Sequence, residues 1–149
     1  MIGIFWPGKK LIMILNKTHL YIPTKIKKLL NKYWLVAIFL SDENYTFVEE
    51  VCGCKMNSLA MAFSKLHLIV VNETKIRNLG LSQEELNYIL LHEIAHAGEK
   101  DHTEEGANKI TIGLSKKCSI AIDNTQFDVI VKYTTESAEK LLYNTKKGK

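Results

Sequence analysis

The sequence predicts an α+β domain, a small sheet of three or four strands carrying helices on one side. Three observations predict it. Short β-branched and aromatic runs of strand length crowd the first half of the chain. The second half shows apolar residues at helical spacing. Between them stands a helix-start signature, Ser82-Gln83-Glu84-Glu85.

The elements follow in order. Pro23 suits the first turn of a helix, and Ile26, Leu29, Leu30 and Tyr33 recur at helical spacing among lysines. A helix is expected over roughly 23–32. Trp34 to Leu40 reads as a buried strand, Thr46-Phe47-Val48 as a second, Leu59 to Phe63 as a third and His67 to Asn72 as a fourth. Ser82 can cap the amide of Glu85, and the Glu85 carboxylate can return the bond. The stripe Leu86, Ile89, Leu90, Ile94, Ala97 continues that helix, with Gly98 as its stop. Asp101 or Thr103 can cap a further helix over roughly 103–116 on Ala107, Ile110 and Leu114. A last helix is expected over 125–145, since the apolar pattern from Phe127 to Leu142 outruns strand length.

The 149 residues suit a single domain spanning 1–149, with 1–22 as a loosely ordered N-terminal segment. With 46% apolar and 24% charged residues, the composition excludes a disordered chain. The longest apolar run, Tyr33 to Leu40, is far short of the ~20 residues of a bilayer span. No secretory signal is recognisable, and Met13 is an alternative start. Three cysteines, Cys52, Cys54 and Cys118, make no complete disulfide framework, so they read as structural thiols in a reducing, cytoplasmic setting. The expected partner is a protein or peptide, with no membrane involved. The net charge of +4 does not by itself mark a nucleic-acid binder. Lys25, Lys27, Lys28, Lys32, Lys116-Lys117 and Lys146-Lys147-Gly148-Lys149 are the patches nucleic acid would use, and charge runs of this kind are usually solvated faces.

One motif carries chemistry. His92-Glu93-Ile94-Ala95-His96 lies in the second half of the capped helix. Four residues advance a helix by just over a turn, so both imidazoles leave one face and can ligate one Zn²⁺. Glu93 is rotated away from that face and can act as general base on a water at the metal. At this composition a chance H-E-x-x-H has a probability on the order of 1%. His102, six residues after His96, is the expected third ligand. Glu104 or Glu105 is the rival, with Glu136 or Glu139 as distal alternatives. His67, Tyr133 and Tyr143 are candidate oxyanion donors, and the strand at 67–72 is expected to offer an edge to an extended peptide.

The spacing His92-Glu93-x-x-His96-x5-His102 resembles that of metzincins and of the SprT-like/WLM/YgjP group of small zinc metallopeptidases. In the second group a strand ending in Asn, here Leu68 to Asn72, leads into the active-site helix. The resemblance covers about positions 52–106. It implies a zincin-like fold, with the sheet packed on the active-site helix and further helices C-terminal to it. It also implies a zinc-dependent endopeptidase with Glu93 catalytic and His92, His96 and His102 on the metal. Glu104-Glu105-Gly106-Ala107-Asn108 resembles instead the E-x-x-A-[ND] element that supplies the third ligand in gluzincins, including the minigluzincin and ImmA/IrrE-like groups. Two alternatives of other classes stand beside these. Lys100-Asp101-His102 is similar to the ending of the three-His YbeY-like endoribonucleases, though Glu93 stands where that family has Gly. The other is a regulatory or binding module built on a structural zinc site.

Overall fold

A computed structural model describes residues 3–8, 20–53, 58–101 and 103–125. It is α+β. Strand β1 (Gly3–Phe5) precedes helix α1 (Thr24–Lys32), β2 (Val36–Leu40), α2 (Asp42–Val51) and β3 (Ala60–Phe63). A 3-10 turn over Ser64–Leu66 leads into β4 (Leu68–Asn72), then α3 (Glu73–Leu79), α4 (Gln83–Ala97) and α5 (Glu104–Cys118). The strands form one mixed sheet in the order β1-β2-β4-β3. β2 runs parallel to β4, with Ala37 opposite Ile69 and Phe39 opposite Val71. β1 and β3 are antiparallel to their neighbours.

Side chains alternate across a strand, so Ala37, Phe39, Ile69 and Val71 share a face, and each is 0% exposed. That face meets Leu86, Leu90 and Ile94 of α4 in a core running from Phe5 to Ile120. α4 packs on β3, β4 and α1. Eleven of its fifteen residues are buried, as suits a helix enclosed on nearly every side. Its start is the expected capping box: Ser82 Oγ accepts from Glu85 N–H and Glu85 Oε1 from Ser82 N–H, both at 3.1 Å.

Three expectations need correction. Thr46-Phe47-Val48 is not a strand but the middle of α2. Asp42 and Glu43 favour a helix N-terminus, and the helix buries Tyr45 and Glu49 on one face, four residues apart. α2 packs on β2 and β4. Val70 points away from the main core yet is only 2% exposed, so the central strand is covered on both faces, not one. The strand at 67–72 is interior, between β2 and β3, and has no edge to offer. β1 and α3 were not expected. α3 is capped by Asn72 Oδ1, which accepts from Lys75 N–H, and it ends at Gly80 with φ 63°. Of the helix expected over 125–145, residues 126–145 lie outside the described residues. No helix among the described residues is long and apolar enough to cross a membrane.

Candidate metal centre

α4 presents His92 and His96 on adjacent turns, with ring centroids 4.7 Å apart and Nε2 atoms 3.0 Å apart. Both Nδ1 atoms face carbonyl-type oxygens, which can only accept. His92 Nδ1 donates to Asn108 Oδ1 at 3.0 Å, and His96 Nδ1 donates to the Asp101 carbonyl at 2.6 Å. The Nδ1–H tautomer is thereby fixed on each ring, and each Nε2 turns a lone pair toward the other.

A carboxylate closes the triangle. Glu104, the first residue of α5, sets Oε2 3.0 Å from His92 Nε2 and Oε1 3.1 Å from His96 Nε2. Two imidazole acceptors and a carboxylate at this separation require positive charge between them, either protons or a metal ion. The three residues form the one group of potential metal ligands among the described residues. Two imidazole nitrogens and a carboxylate this close together are a donor set that suits a divalent ion.

The turn from α4 to α5 explains how Glu104 arrives there. The Asp101 amide donates back to the Ala95 carbonyl, and Lys100 adopts φ 57° to reverse the chain. Asp101 Oδ1 then accepts from the Thr103 amide and hydroxyl at 2.9 and 2.7 Å. Thr103 Oγ1 caps α5 by accepting from Gly106 N–H. Glycine at 106 is required, because a Cβ there would overlap the Asp101 carboxylate. Gly98 is constrained likewise, since its Cβ would lie 2.7 Å from Cγ of Tyr33. The Tyr33 hydroxyl in turn donates to Glu99, and burial with that carboxylate pushes the phenol up to about 12.

Electrostatics separates the two site carboxylates. Hydrogen bonds from His92 and His96 hold Glu104 well below the ordinary carboxylate range, against a smaller opposing effect of burial. Burial raises Glu93, outweighing the nearby imidazoles that would lower it. Burial alone would lower His96, but the Glu104 hydrogen bond and the Glu93 charge outweigh it and hold its pKa up at about 9. Glu93, His96 and Glu104 line a cavity of about 290 Å³ whose opposite wall is Ala60, Met61 and Ala62 of β3, followed by Ser64.

Of the residues expected at the site, the structure brings together His92, Glu93 and His96 with the rival ligand Glu104. His102 lies outside the described residues, as do Glu136, Glu139, Tyr133, Tyr143 and Cys54. Glu105 points elsewhere, 82% exposed and 3.4 Å from Lys109. His67 hydrogen-bonds the Tyr33 carbonyl and does not line the cavity. Cys52 is exposed, and Cys118 is a free thiol. Sequence reasoning missed the roles of Asn108 and Tyr88. The Tyr88 hydroxyl donates to Asn108 Oδ1 at 2.7 Å, beside the bond from His92. The signal was spacing: Tyr88 is four residues before His92 and Asn108 four after Glu104, each on the ligand's own helix face.

No family model matches the chain, and no curated protein or solved structure matches it either.

Proposed function

We propose that the chain is a zinc-dependent peptidase whose metal is held by His92, His96 and Glu104. One observation carries this reading: both imidazoles are locked with Nε2 toward a single point that a carboxylate also faces, at 3.0–3.1 Å. Zinc at that point would supply Lewis acidity to a water and to a substrate carbonyl. A His₂Glu donor set with one open side is the form catalytic zinc takes. It favours the gluzincin resemblance over the three-His families, and with them over the YbeY-like alternative.

The chain's own residues supply the rest. Glu93 is buried beside the cavity with its proton affinity raised, the property a general base for water attack needs. It takes the water's proton and returns it to the leaving amine. Asn108 and the Asp101 carbonyl keep the rings from turning. Among the described residues β3 is the outer strand beside the cavity, so its edge can add an extended peptide and lay a scissile bond across the site.

The test is proteolysis of denatured casein by wild type and Glu93→Gln. Wild type should cleave it and stop on chelation. Glu93→Gln should lose activity by about 10²–10⁴-fold while keeping its metal. Full activity in Glu93→Gln would refute the mechanism. A metal-bound wild type that cleaves nothing would point to the binding-module alternative.

A further inference from the structure

The chain has two tryptophans, and both are exposed: Trp6 at 46% and Trp34 at 61%. Tryptophan is normally well covered in a folded domain. The register places the pair at one end of the sheet. Phe5 pairs with Ala37, so Trp6 follows the last rung of β1 while Trp34 precedes β2. Leu66, 69% exposed, sits at the same end, because the His67 carbonyl accepts from Val36 N–H at 2.9 Å. Trp34 is also held at φ 55°, immediately after the C-cap Tyr33 of α1, where glycine is the usual residue. A bulky aromatic in that conformation is a costly way to end a helix, and the indole edge rests over Gly8 while most of the residue stays exposed.

Exposed lysines adjoin these apolar tips along the chain. Lys28 and Lys32 are exposed on the last turns of α1, and Lys65 is exposed next to Leu66. Lys32 Nζ lies 5.3 Å from the centre of the Tyr33 ring, next to Trp34. The neighbouring acid, Glu99, is engaged by Tyr33. We infer that this end of the sheet is a surface for peripheral adsorption to an anionic lipid bilayer, with Trp6, Trp34 and Leu66 entering the interface and Lys28, Lys32 and Lys65 meeting the headgroups. Indole rings favour the interfacial layer, and clustered lysines favour negative lipid. The expectation of no membrane partner rested on the lack of a spanning segment, and adsorption needs none. This inference is independent of the peptidase reading.

The two indoles report on it directly. Full-length protein is titrated with vesicles of phosphatidylcholine, alone or with about one third phosphatidylglycerol, while tryptophan emission and co-sedimentation are followed. Emission should be that of water-exposed indole in buffer. It should shift to the blue, with the protein sedimenting, on the anionic vesicles alone, and high salt should reverse this. Lys28→Glu/Lys32→Glu and, separately, Trp6→Ser/Leu66→Asp should each weaken partitioning at least about tenfold, with helical circular dichroism unchanged. Blue emission already in buffer would overturn the inference, because the chain's own apolar stretch Leu11 to Leu15 would then be the cover. So would equal binding to both vesicles, no binding, binding indifferent to both double variants, or tighter binding to a single-stranded oligonucleotide than to vesicles.

Discussion

Helices α4 and α5 are each fifteen residues long, each starts with a side-chain cap, and each brings one carboxylate to the site. They differ in burial. α4 lies inside the protein, whereas α5 buries only Ala107, Thr111 and Leu114. Their carboxylates diverge accordingly. Glu93 is 5% exposed and burial raises its pKa, while the Glu104 side chain is 55% exposed and two imidazoles lower its pKa. The same functional group thus becomes a proton acceptor on one helix and a permanent negative charge on the other. On the proposed reading, this difference is what suits Glu93 to the role of base and Glu104 to that of ligand.

That contrast can be sharpened by experiments of decreasing effect. Zinc must displace the proton that His96 holds with a pKa of about 9. Affinity should therefore fall about tenfold per pH unit below that value, or about a hundredfold from pH 8 to pH 6 in a chelator competition. Glu104, already ionised throughout that range, adds nothing to the slope. An affinity independent of pH would break the assignment of His96. Asn108→Leu strips the acceptor from both His92 Nδ1 and the Tyr88 hydroxyl. It should weaken zinc binding by about 10–100-fold, and two orphaned buried donors should cost the fold about 1–3 kcal/mol or more in urea unfolding. Ser82→Ala should cost about 1 kcal/mol at the far end of α4 and leave zinc affinity untouched. A change in zinc binding there would mean that α4 does not hold its imidazoles as a rigid element.

Legibility followed the same division. His92, Glu93 and His96 were readable because one helix fixes their relation, and helical spacing is a sequence property. The cap at Ser82, the stop at Gly98 and the start at Thr103 were readable for the same local reason. Glu104 was visible only as one of several acids. Its selection depends on the Lys100 reversal and on Asp101 nesting against Gly106, which are tertiary facts. α2 was misread because Thr46, Phe47 and Val48 have strand propensity, which Asp42, Glu43 and the burial of Tyr45 and Glu49 override. Strand order was beyond local pattern altogether. β4 looks like any apolar strand, and its central place follows from pairing with β2 and β3 at long range.

The proposed function stands on α4 and α5 together holding one metal ion through His92, His96 and Glu104. The most direct measurement is zinc per chain by mass spectrometry in purified wild type, Glu104→Ala and His102→Ala. About one zinc is expected in wild type and in His102→Ala, with loss in Glu104→Ala despite an unchanged circular dichroism spectrum. Zinc retained in Glu104→Ala and lost in His102→Ala would contradict it and return the site to three histidines.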